Sequence, residues 1–100
     1  RELVFSDKEI SYCEKGNINF DSYAGRFAAK EAFLKAFGTG WRGKLAFREI
    51  EITNDTLGKP GITLSGDTLK EFKDTAAGKI HLSISHASGQ AVAFVIIEVD

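Results

Sequence analysis

The stretch Gly25-Arg-Phe-Ala-Ala-Lys-Glu-Ala-Phe-Leu-Lys-Ala-Phe-Gly38 decides how the rest of the chain is read. Fourteen residues of good helix formers with glycine at the far end predict a helix stopped at Gly38. At about 100° per residue, Ala24, Ala28, Glu31 and Lys35 fall within one narrow arc, and Tyr23, Phe27, Leu34 and Phe37 gather about a quarter-turn away. Glutamate four residues before lysine is, by itself, an ordinary surface ion pair worth roughly 0.2–0.5 kcal/mol. Here the pair stands in a lane floored by alanines, which leaves room for a ligand to approach.

Working outward, Ser6-Asp-Lys-Glu9 has the form of a capping box, with Phe5 and Ile10 at staple spacing, and predicts a helix from about Asp7 to Lys15. Gly16 and Asn17 end it, and Asp21 or Ser22 can cap the Glu31 helix. Downstream, Arg48 to Ile52 alternates at the strand period, residues 54–61 hold dense turn signals, and Ile62 to Leu64 reads as the returning strand. Leu69, Phe72 and Ala76 predict a third helix over about 67–77. Ile80, Leu82 and Ile84 alternate with His81, Ser83 and Ser85, as in a strand with one buried face. Gln90 to Val99 reads as a strand whose continuous apolar middle, Ala91 to Ile97, implies burial on both sides, the second against another subunit.

Three blocks now stand in order: Gly-Arg-Phe-Ala-Ala-Lys-Glu-Ala from Gly25, Asn54-Asp-Thr-Leu-Gly-Lys-Pro60, and Leu82-Ser-Ile-Ser-His86. Together, over Phe5 to about Val95, they resemble the holo-(acyl carrier protein) synthase family of 4′-phosphopantetheinyl transferases. The first block is the most specific. The resemblance implies an α+β fold with helices packed on a mostly antiparallel sheet. It also implies transfer of phosphopantetheine from coenzyme A to a serine of apo acyl carrier protein in fatty-acid synthesis, with release of adenosine 3′,5′-bisphosphate and Mg²⁺ at the pyrophosphate.

By the same resemblance Glu31 is a magnesium ligand and catalytic residue, and Lys35 reaches the phosphate leaving group or the attacking hydroxyl. Lys59, Ser85 and His86 hold the 3′-phosphate and adenosine end of coenzyme A. Arg26 and Lys30 lie toward the aromatic side of the helix. Two readings stay open for them: stems covering Phe33 and Phe37 with charges in water, or contact with phosphate or carrier protein. Arg26 is carried forward as a coenzyme A-binding candidate. The family further implies a homotrimer with active sites between subunits, the metal and lysine side of one chain facing the histidine side of its neighbour.

Bulk properties bound these expectations. One hundred residues with 43% hydrophobic content, eight Phe and one Pro make a single globular domain, of a size that buries about two-thirds of its unfolded surface. The formal net charge of −1 argues against nucleic-acid binding by the whole surface. Locally, six cations from Arg26 to Arg48 oppose Glu31 alone, a patch suited to phosphates or an acidic partner. Trp41 between basic residues is thin support for a nucleic-acid site. The lone Cys13 reads as a packed thiol, and no apolar run approaches the roughly 20 residues of a bilayer span, so a cytoplasmic protein is expected.

Two decoys are set aside. Gly38 with Gly43-Lys44 mimics a P-loop, but a helix precedes it, Leu45 follows, and no strand leads in. His81 and His86, five apart on a strand, point to opposite faces and cannot share a zinc. The chain departs from the family in one respect: no segment supplies the Gly-x-Asp strand whose aspartate is a metal ligand, and Asp7 sits at a helix start. The expectation is a domain lacking its N-terminal strand. The alternative is a non-catalytic coenzyme A-binding or structural module of the same fold.

Overall fold

The computed structural model describes residues 4–16, 19–38, 47–75 and 78–98. The elements run α1 (Asp7–Cys13), α2 (Phe20–Phe37), β1 (Ile50–Asn54), β2 (Pro60–Leu64), α3 (Gly66–Thr75), β3 (Ile80–Ala87) and β4 (Gln90–Ile97). The strands form two antiparallel hairpins, β1 with β2 and β3 with β4. The fold is α+β, with α2 lying along β4 and β3.

The capping box forms as expected. Ser6 Oγ accepts from the Glu9 amide and Glu9 Oε1 accepts from the Ser6 amide. Its glutamate does more than cap. Glu9 is buried, its other oxygen accepts from the Ile52 amide at 3.0 Å, and Oε1 lies 2.8 Å from Lys30 Nζ. Lys30 is 0% exposed, and its three ammonium protons meet three acceptors: Glu9, the Phe47 carbonyl and the Ile50 carbonyl. One buried ion pair thus ties α1, α2 and β1 together. Burial pushes the Lys30 amine below its ordinary value of 10.5, and Glu9 pushes back.

This overturns one expectation for α2. Its buried residues are Gly25, Arg26, Ala29, Lys30 and Phe33, so the cations at 26 and 30 sit on the core side, not in water. Phe27 is partly exposed and stacks on Phe47. A lysine on the core face is tolerated because each proton has an acceptor. The helix also begins earlier than expected: Asn19, not Asp21 or Ser22, is the cap, its Oδ1 accepting from the Ser22 amide. At the other end Gly38 takes the left-handed conformation (φ 76°) and returns its amide to the Leu34 carbonyl.

The core is Ala29, Phe33, Ile50, Ile52 and Phe72, with Leu82, Ile84, Ala93 and Val95 of the second hairpin packed against it. Strand β1 starts at Ile50, later than the alternation from Arg48 suggests, because Glu49 is used elsewhere. Its carboxylate accepts from the Asp67 and Thr68 amides and the Thr68 hydroxyl, capping α3 from outside. Cys13 is a buried thiol, raised in pKa chiefly by burial.

In β4 the burial is one-sided within the chain. Ala91, Ala93, Val95 and Ile97 are half-buried, whereas Val92, Phe94 and Ile96 face outward, Phe94 67% exposed. Pairing sets Phe94 opposite Ser83 and Ile96 opposite His81, so the outer face of this hairpin is an apolar stripe edged with polar residues. The expected burial of both faces is therefore not met by one chain alone.

Candidate active site

The lane on α2 is where the spacing predicts it. Ala24, Glu31 and Lys35 are exposed and Ala28 is half-buried, nearly opposite the core face. Glu31 makes no hydrogen bond or ion pair to any described residue, Lys35 included, so the pair is not the ordinary surface ion pair its spacing allows. An uncommitted carboxylate beside two alanines fits a hard cation that takes its remaining oxygens from water and substrate phosphates. Among the described residues, no group of three or more His, Cys, Asp or Glu side chains could hold a metal by itself. Lys35 lies in the last turn, where the helix dipole favours a cation.

His86 reaches α2 at a different place. A Cβ built on Gly25 would stand 3.0 Å from His86 Cε1, 3.1 Å from Nε2 and 3.3 Å from Ile84 Cγ2. The absent side chain at Gly25 is what lets the imidazole lie against the helix. A glycine in mid-helix is the signal that sequence reading could have used, since it is about 1 kcal/mol worse than alanine there. Ser85, by strand alternation, faces the side opposite His86, and pairs in register with Val92.

Lys59 is exposed on a turn built by its neighbours. Asp55 Oδ1 accepts from the Leu57 and Lys59 amides at 2.9 and 2.8 Å, and the Asp55 amide donates to the Lys59 carbonyl. Asn54 Nδ2 donates to the Gly58 carbonyl at 3.1 Å. On its other side Asn54 Oδ1 accepts from Arg26 Nη2 at 2.8 Å. Arg26 is only 5% exposed, with its guanidinium 4.2 Å from the Tyr12 ring centroid. The guanidinium of Arg26 is turned inward, behind the Lys59 turn, and in one chain it is held by Asn54 and Tyr12.

The predicted residues form two groups. Glu31 lies about 9 Å along the helix axis and about 120° around it from Gly25, where His86 packs. Within one chain, then, the Glu31–Lys35 lane and the His86 contact do not converge. The local basic patch is smaller than its charge count, since Arg26 and Lys30 are buried and Arg48 pairs with Asp7 at 3.4 Å. Trp41, Arg42, Lys44 and the P-loop decoy lie outside the described residues.

Residues 1–95 match the model of the ACPS family, the 4′-phosphopantetheinyl transferase superfamily. The chain belongs to that superfamily. It is 52% identical over 95 residues to a holo-(acyl carrier protein) synthase of Clostridium tetani, covering 95% of this chain and 75% of that protein. The structure of the Chronobacterium ammoniagenes ACPS–CoA complex superimposes with a TM-score of 0.86 at 30% identity, over 99% of this chain and 80% of the other. The Helicobacter pylori holo-(acyl carrier protein) synthase in complex with coenzyme A gives a TM-score of 0.77 at 35% identity, over 97% and 79%.

Proposed function

We propose that this chain is a cytoplasmic holo-(acyl carrier protein) synthase. It transfers 4′-phosphopantetheine from coenzyme A to a serine of apo acyl carrier protein, supplying holo carrier protein for fatty-acid biosynthesis. The Glu31 carboxylate, unpaired among the described residues in an exposed alanine lane one turn before Lys35, carries this reading. Support comes from the match to the family model and from the likeness to the two coenzyme A complexes. Among the described residues no helix is long and apolar enough to cross a membrane.

In this reading the serine oxygen forms a bond to the phosphorus that carries pantetheine. The bond from that phosphorus to the bridging oxygen breaks, and adenosine 3′,5′-bisphosphate leaves with the electron pair. Glu31 would hold Mg²⁺, which when bound offsets charge on the pyrophosphate. Glu31 also positions, directly or through a water, the base that takes the serine proton. Lys35 places a cation near the phosphate leaving group or the attacking hydroxyl. Lys59 and His86 grip the 3′-phosphate and adenosine end, with Pro60 stiffening the turn that presents Lys59, while Ser85, on the other face of β3, does not join that grip within one chain.

Because the lane and His86 diverge within one chain, the working site is formed between subunits of a homotrimer. The exposed stripe of Val92, Phe94 and Ile96 is the surface for that assembly, since an apolar strand face of this kind is stable when covered. Glu31→Gln tests the metal role: helix content should be kept and transfer lost. Retained turnover in that variant would remove Glu31 from the mechanism.

A further inference from the structure

We propose that Asn54 is a positioning residue for coenzyme A recognition, fixing the Lys59 turn to α2 through Arg26. This rests on the reading of Lys59 as a 3′-phosphate ligand. The side-chain amide is held at both ends. Arginine offers only donors and a backbone carbonyl only accepts, so the Asn54 oxygen must face Arg26 and its nitrogen must face Gly58. Asp55 folds residues 55–59 internally. At the tip Leu57 is 92% exposed. Beyond the β1–β2 ladder, which ends at the Asn54 and Pro60 pair, this amide is the side-chain tie between the turn and the helix among the described residues.

The anchor itself is rigid. Arg26 is buried, carries the Tyr12 ring against its guanidinium, and stands next to Gly25, the seat of His86. Two consecutive residues of α2 therefore hold the two segments assigned to the same end of the substrate. Aspartate at position 54 is the discriminating change. It keeps the acceptor for Arg26, so the buried cation stays paired, and replaces the donor to Gly58 with an oxygen that repels the carbonyl. Asn54→Ala, by contrast, strands Arg26 and confounds positioning with folding.

The test compares affinities for coenzyme A and for 3′-dephospho-coenzyme A, by calorimetry, in wild type, Asn54→Asp, Lys59→Ala and the double variant. Asn54→Asp should weaken coenzyme A about five-fold, as expected for loss of one positioned interaction, and leave the dephospho ligand unchanged. In turnover KM should rise while kcat holds, and the double variant should match Lys59→Ala. Wild-type affinity in Asn54→Asp, with Lys59→Ala impaired, overturns the role of Asn54 and spares that of Lys59. Equal weakening of both ligands, or a fall in kcat, also overturns it, as a general structural effect. A Lys59→Ala protein that still distinguishes the two ligands as wild type does removes the Lys59 reading and this proposal together.

Discussion

Replacing Gly25 by alanine sets two effects of known size against each other. Alanine in a helix interior is about 1 kcal/mol better than glycine. The new methyl, however, would stand 3.0 and 3.1 Å from the His86 ring and 3.3 Å from Ile84 Cγ2, inside the ordinary carbon contact of roughly 3.5–4.0 Å. Overpacking of this kind costs about 1–3 kcal/mol where neighbours cannot give. His86 is exposed and can turn away, whereas Ile84 is half-buried and must shift. Stability should therefore stay within about 1 kcal/mol of wild type, while the imidazole is displaced and coenzyme A affinity falls several-fold. In a His86→Ala background the same change should stabilise by more, giving a coupling of about 0.5–1 kcal/mol in a urea double-mutant cycle. If Gly25→Ala gave the full helix gain in both backgrounds with coenzyme A affinity unaltered, His86 would not lie against Gly25.

Glu9→Gln leaves the Lys30 ammonium buried without its counter-charge and should cost about 3–5 kcal/mol in urea unfolding; a loss below about 1 kcal/mol would refute the clamp. Lys30 has a folded pKa below its ordinary 10.5, so the unfolded chain binds the extra proton between those values. Stability due to Lys30 should accordingly rise with pH through that window, read as the difference between wild type and Lys30→Met. A flat or falling difference would contradict the shift. Phe94→Asp should yield a folded monomer in sedimentation, with transfer activity reduced, if the outer β4 stripe is the subunit interface; a trimer that persists with full activity would place the interface elsewhere.

Much of the fold is legible because it is written in local signals. The Ser6 to Glu9 capping box, the Gly38 stop and the alternation of Ile80, Leu82 and Ile84 each act over a few residues, and the structure has all three. The exposed lane of Glu31 follows from helix geometry alone. The parts that were not legible depend on long-range pairing. Lys30 reads as a surface cation until Glu9 and two carbonyls arrive from 17 to 21 residues away. Glu49 fits a strand alternation until it caps a helix that begins at Gly66. Arg26 reads as a ligand candidate because nothing nearby in sequence reveals Asn54 as its partner, 28 residues on. The apolar run of β4 was informative about burial, but a sequence does not say whether one face is covered by its own chain.

The most direct measurement is intact-mass analysis of apo acyl carrier protein incubated with coenzyme A, Mg²⁺ and this chain, beside the same reaction with Glu31→Gln. A phosphopantetheine-sized gain on the carrier with wild type, absent with Glu31→Gln, is the predicted result. No gain with folded wild-type protein, or an equal gain with the variant, would contradict the claim that the Glu31 lane carries out the transfer.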